Sequence, residues 1–368
     1  MFIDTITLSN FMVFKNKLGN ENEERLNSTG ICSIETYLDF CQGINVIIGP
    51  NGTGKSTILK LLYAACEWTK IKEKKAAYYK DFYKYFTPYR TDNKTVKNYD
   101  NRNEHAGFTV TSGKHSLSID VDQMIFDLND QALDNWLMQE VNSVLIPTIE
   151  MLSHSKGFLA FNEKYEMPFD RTLVDILINA ELPRTREISP NSQILINKLS
   201  DILEGEVIYE DDTFYVNKRS GMKLEFSFEA EGLRKIGLLW QLLRNGLLES
   251  GSILYWDEPE CNLNPELMPD LVDILLNLQR NGVQIFIATH SEILAGYFNV
   301  NHQQKDKIMF YSLYKENDHI NVNSNSRFDF LEPNSLYTAP VKLYEQELDK
   351  GLGNIGLYNT IQFISRAT

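Results

Sequence analysis

Apolar and polar positions alternate along Ile6–Phe14, ITLSNFMVF, as in a strand with one buried face. Residues 17–31 are polar and turn-rich and predict a surface loop between short strands. GINVIIG, residues 43–49, is too short for a helix and rich in β-branched side chains, so it predicts a buried strand. KSTILKLLYAACEW, residues 55–68, has the period of a helix. A hairpin is expected over 106–121, turning at Ser112-Gly113-Lys114. Residues 122–200 read as mainly helical, interrupted by Pro147, Pro168, Pro183 and Pro190, without the sustained heptad of a coiled coil. Two or three strands over 206–228 precede a helix from about residue 231. The pattern then predicts a strand at 253–256, a helix around 265–280, a strand at 283–289, a hairpin over 307–323 and a last helix at 340–350. No internal repeat or low-complexity tract is visible.

Composition narrows the class. The 368 residues carry 36 Lys and Arg against 50 Asp and Glu, a net charge of −14, which excludes coating nucleic acid over the whole surface. One segment departs from this. Residues 70–105 hold ten lysines and arginines and six tyrosines, a candidate nucleic-acid contact in which cations meet phosphates and rings stack on bases. The alternative is a solvated helix face with tyrosines packed on the core. No apolar run approaches the ~18 residues of a membrane span, and the amino terminus has no basic region of a secretory signal. Cys32, Cys41, Cys66 and Cys261 lack metal-ligand spacing and read as reduced thiols of a cytoplasmic protein. The acids Glu204, Glu206, Glu210, Asp211 and Asp212 fit strand and turn surfaces and lack the spacing of a calcium loop.

Three stretches carry chemistry. Gly49-Pro50-Asn51-Gly52-Thr53-Gly54-Lys55-Ser56 fits GxxxxGK[ST], placed between a strand and a helix as a phosphate-binding loop requires. Its glycines let backbone N–H groups turn inward, and the helix N-terminus adds positive charge. The expected nucleotide contacts are Asn51, Gly52, Thr53, Gly54, Lys55, Ser56, Thr57 and Asp257. Lys55 is expected at the phosphates and Ser56 at Mg2+. Ile253–Glu260, ILYWDEPE, is an apolar strand ending in acids. Asp257 is the second expected metal contact, and Glu258 is the candidate to orient or deprotonate an attacking water. Ile285–Ser291, IFIATHS, is a third apolar strand with His290 at its end, placed to hydrogen-bond a γ-phosphate.

In this order, the three stretches resemble the ABC-type ATPase fold of SMC, RecF and OLD-like proteins. Ala230-Glu231-Gly232-Leu233-Arg234-Lys235 lies where that family has its signature motif. DEPECNLNP, residues 257–265, and IPTIEMLS, residues 146–153, resemble segments of bacterial AAA-family ATPases. The resemblance implies an α/β fold: a P-loop NTPase, ABC-ATPase-like head with an N-terminal antiparallel β-subdomain and an inserted helical lid. It implies an N-terminal lobe over 1–66, an inserted, mainly helical partner-recognition region over 67–205, and a C-terminal lobe over 206–368. It implies a homodimer or higher homo-oligomer in which ATP and Mg2+ lie between the P-loop of one copy and the signature helix of the other. Ala230, Glu231, Gly232, Arg234 and Asn264 then stand at the dimer seam, with Glu258 and His290 catalytic.

The family's signature serine is replaced by Ala230, a loss of about 1.5–3 kcal/mol if one hydroxyl bond to a charged oxygen is missing. Gln123 and Gln139 are the candidates for the family's glutamine loop. Phe11, Phe14 and Lys15 are those for adenine contact. The implied activity is ATP hydrolysis in a bacterial anti-phage defence complex of the Septu or retron-linked kind. A separate nuclease or other effector is expected, because the 78 residues after His290 are too few for a Toprim nuclease. A RecF- or SMC-like DNA-repair ATPase is the alternative; a transporter subunit fits less well.

Overall fold

The computed structural model describes residues 1–18, 33–70, 82–86, 95–121, 131–165 and 167–352. Strand β1 (Thr5–Ser9) precedes two short paired strands, β2 (Lys17–Leu18) and β3 (Ser33–Ile34), and β4 (Thr36–Asp39), which returns antiparallel to β1. β5 (Ile44–Ile48) buries every residue and runs through the glycine loop into helix α1 (Lys55–Glu67). The expected hairpin is β6 (Gly107–Ser112) with β7 (His115–Asp120). It joins β1, giving an antiparallel sheet of order β4-β1-β6-β7.

Further along come α2 (Gln131–Leu137), β8 (Ser143–Ile146), α3 (Phe158–Tyr165), α4 (Arg171–Glu181) and α5 (Pro190–Leu203). Asp170 caps α4 by accepting from Thr172 N, and Ser189 caps α5 from Ser192 N ahead of Pro190. A three-stranded antiparallel sheet follows: β9 (Gly205–Glu210), β10 (Thr213–Lys218) and β11 (Lys223–Glu225). The chain then alternates helix and strand: α6 (Glu231–Arg244), β12 (Ile253–Asp257), α7 (Met268–Arg280), β13 (Gln284–Ala288), α8 (Glu292–Asn301). It ends with the hairpin β14 (Ile308–Glu316) and β15 (His319–Asn325) and with α9 (Ser335–Leu352), which starts earlier than expected and contains Pro340.

The central sheet has the order β15-β14-β5-β13-β12-β8, parallel throughout except for edge strand β15. Its inner strands are apolar on both faces, as a covered parallel sheet requires. Alternate residues feed two cores. Val46, Leu254, Trp256, Ile285 and Ile287 pack with α4, α5, α6 and α7. Ile47, Tyr255, Phe286 and Ala288 pack with α1 and the antiparallel sheet. The buried amide of Gln284 joins the two sheets: it accepts from Ile3 N at 2.8 Å and donates to Ile3 O and Cys41 O at 2.8 and 2.9 Å. Every polar atom of that side chain is thereby satisfied away from water.

Two expectations need correction. The span 67–205 is not a lid throughout. Its hairpin completes the antiparallel sheet, and β8 forms an edge of the central sheet. Four buried residues ahead of Pro147 make β8, a run too short to interrupt a helical reading of the sequence. No described helix is long and apolar enough to cross a membrane.

Candidate active site

Ile47 of β5, Ala288 of β13 and Asp257 of β12 stand in one row across the parallel sheet. The row is locked one residue on: Thr289 N donates to Ile47 O at 3.1 Å and Glu258 N to Ala288 O at 2.9 Å. The three chemistry-bearing stretches therefore leave the sheet side by side at its carboxyl edge, where open α/β sheets bind ligands.

The loop after β5 needs its glycines. Gly52 and Gly54 have φ of +78° and +92°, and a Cβ on Gly54 would lie 2.5 Å from the Phe14 ring. Thr53 Oγ1 donates to Pro50 O at 2.8 Å, closing the loop, while Asn51 and Gly52 are exposed at its tip. Lys55 is buried, and its Nζ donates to Gly49 O at 2.8 Å and Pro50 O at 3.1 Å. Burial pulls its pKa down to about 8, against the opposing pull of Asp257, Glu258 and Glu260. Helix α1 begins without a side-chain cap, so its first N–H groups face the loop; Thr57 is half-buried in that turn.

The Asp257 carboxylate lies beside the hydroxyls of Ser56 and Thr148. Burial raises its pKa, and those hydroxyls oppose the rise. Glu258 sits at φ +49°, a left-handed conformation that costs a non-glycine residue about 1–3 kcal/mol and that clusters at functional sites. Its carboxylate lies 3.7 Å from His290 Nε2. Glu260 Oε1 accepts from Thr289 Oγ1 at 2.7 Å and from His290 N at 2.8 Å, clamping the third stretch to the second.

The structure brings Ser56, Lys55, Asp257, Glu258 and His290 together, and it treats the signature stretch differently. Ala230 is the exposed N-cap of α6, and its N–H donates to Glu229 Oε1 at 3.0 Å. Glu231 is exposed, whereas Gly232 is pressed against the loop after β12, where a Cβ would meet Asn262 O at 2.4 Å. Arg234 turns inward to Glu229 O and Glu150. Asn264 is exposed and accepts from Glu266 N at 3.1 Å.

Three further expectations change. Gln139 precedes β8 and bonds Asn135 O, at the opposite edge of the sheet from the site. Gln123 lies outside the described residues. The segment that does leave β8 at the site carries Thr148 and Glu150. Phe11 and Phe14 are fully buried, which removes them as adenine contacts, and Lys15 pairs with Asp100 at 3.4 Å. Of the basic segment, 71–81 and 87–94 lie outside the described residues. Within the rest, Lys70 pairs with Glu67, Lys97 is buried on two carbonyls, and Tyr83 and Tyr85 are core residues. Arg102 lies over the exposed Tyr99 ring.

The sequence reading gives Thr148, Glu150 and Glu260 no site role, and Lys235 only that of adding charge at the signature stretch. The resemblance of 146–153 and the short apolar run ahead of Pro147 are the signals that point to the first two.

Fold and site together define a P-loop ATPase head of mixed α/β architecture. The family model described as "AAA domain, putative AbiEii toxin, Type IV TA system" matches residues 67–295, more than half of the chain, and the chain belongs to that family. A second family model, described as "AAA domain", matches residues 5–122. No curated protein matches. Among solved structures, an Smc head bound to the C-winged-helix domain of ScpA is 14% identical. It covers 89% of this chain and 99% of its own, with a TM-score of 0.52. An SMC head domain from Thermotoga maritima is 13% identical, covering 88% and 98%, with a TM-score of 0.42. A nucleotide-free ATP-binding cassette from an ABC transporter is 13% identical, covering 92% and 95%, with a TM-score of 0.39.

Proposed function

We propose that the chain binds ATP with Mg2+ at the carboxyl edge of its central sheet and hydrolyses it to ADP and phosphate. The observation that carries this is the Glu258–His290 approach of 3.7 Å beside Asp257, in the row of strand ends that also bears the glycine loop. The residues fit a magnesium–triphosphate group. The loop uses conformations that only glycine adopts freely, Lys55 points into it, and Ser56 and Asp257 offer the hard oxygens Mg2+ prefers.

Bound Mg2+ would offset charge on the β- and γ-phosphates. Lys55 and the N–H groups of α1 bind phosphate oxygens. Glu258 accepts the proton of the attacking water, and His290 orients that carboxylate and contacts the γ-phosphate. Two copies pair head to tail, each offering the start of α6 to the other's nucleotide. The useful output is opening and closing of that dimer, transmitted to a separate effector protein of a bacterial anti-phage defence complex. The family's description, which names a toxin of a toxin–antitoxin system, supports an effector-linked role. The helices of 158–203 are the proposed partner-recognition surface. Glu258→Gln tests the chemistry: it should retain ATP and accumulate as a dimer, and turnover at the parent rate would refute the assignment of the base.

A further inference from the structure

The Lys235 side chain is almost completely buried, only 2% exposed, an unusual place for an ammonium group. It belongs to α6, the helix whose N-cap Ala230 and first residue Glu231 are exposed. Its Nζ donates to the backbone carbonyl of Glu258 at 3.0 Å. That carbonyl belongs to the residue held at φ +49°, and Asn262 further along the same loop is at φ +61°. One turn earlier on α6, Gly232 lets the helix press onto Asn262 and Leu263. Lys235 and Gly232 therefore share the helix face that packs against the whole loop from 258 to 263. Burial lowers the lysine's pKa, while Cys261, Glu260, Glu231 and Glu258 pull against that shift.

A buried cation aimed at a carbonyl costs more than an apolar residue in the same space unless the contact does something. Here it grips the backbone of the residue proposed as the base. The same loop, through Glu260, holds the His290 amide. We propose that Lys235 is a positioning residue: it holds the 258–260 backbone in the conformation that directs the Glu258 carboxylate at His290, so that α6 and the hydrolytic pair move as one unit. The inference rests on the assignment of Glu258 above and extends it to a residue that touches neither nucleotide nor water.

The test compares Lys235→Met and Lys235→Arg in the full chain. ATP affinity is read with a fluorescent ATP analogue and turnover by phosphate release. Lys235→Met should keep nucleotide affinity within about threefold and lose at least tenfold in kcat, because ground-state binding is untouched while the base is misaligned. Lys235→Arg, which keeps a buried donor, should recover most of that loss. In a Glu258→Gln background, Lys235→Met should change the residual single-turnover rate by less than twofold, since the group it positions is already gone.

An unchanged kcat in Lys235→Met would overturn the inference. So would equal losses with and without Glu258, or parallel loss of affinity and kcat that arginine does not rescue. If Lys235→Met does not fold, the arginine variant decides alone: kcat within threefold of the parent supports the inference, and a deeper loss at unchanged affinity contradicts it. Glu258→Gln at parent turnover would sink the underlying assignment as well. Loss of turnover there with an unaffected Lys235→Met would sink this inference only.

Discussion

Glu150 Oε2 and Arg234 Nη1 meet at 3.1 Å, joining the segment that leaves β8 to the first turn of α6. Glu150 is a tightly held acceptor. Its carboxylate takes the N–H groups of Leu152 and Ser153 and the Ser153 hydroxyl, and it is almost wholly buried. Thr148, two residues back, lies beside the Asp257 carboxylate. The pair therefore links the acid end of β12 to the helix that carries the signature-like stretch.

Removing the guanidinium leaves a buried carboxylate short of its charged partner. Arg234→Met should lower stability by about 1.5–3 kcal/mol, the range for hydrogen bonds to charged groups. Urea unfolding measures it. A double-mutant cycle with Glu150→Gln should show a coupling of about 1 kcal/mol or more.

Lys55 sets a pH dependence for nucleotide binding. Its pKa of about 8 reflects burial, and phosphate oxygens would raise it again. Binding should therefore take up a proton above about pH 8 and none through this group at pH 7. Affinity should weaken toward tenfold per pH unit above that point. Titration calorimetry at pH 8.5 in buffers of different ionisation enthalpy measures the uptake.

A second titration belongs to stability. Asp175 on α4 accepts from Tyr63 and Tyr85 hydroxyls at 3.2 and 3.1 Å and from Arg171 Nε at 2.7 Å, joining α4 to α1. Burial raises its pKa to about 6, only partly opposed by Arg171. A carboxyl whose folded pKa is raised contributes stability below its unfolded value, near 4, and loses it as pH rises through about 6. The parent should thus lose up to about 3 kcal/mol relative to Asp175→Asn between pH 4 and pH 6.5. Denaturant midpoints across that range measure it.

The sequence made the glycine loop, the acid pair and His290 legible, because each follows a short apolar strand with a fixed spacing. It also made the hairpin of 106–121 legible. β8 was not legible: four buried residues ahead of a proline carry no period that separates strand from helix. Thr148 was missed for the same reason, since its place depends on β8 lying beside β12. Arg234 and Lys235 read as charge offered at the signature stretch, Arg234 at the dimer seam. Their inward turn depends on Gly232 bringing that helix against the loop after β12, a contact between residues about thirty apart that no local pattern encodes.

The central claim is that three strand ends form one nucleotide site, and the most direct measurement is Mg-ATP affinity of the parent against Lys55→Ala. The account predicts clear binding by the parent and at least a hundredfold loss in the variant, with its unfolding midpoint little changed. Equal affinity in the two proteins would contradict it.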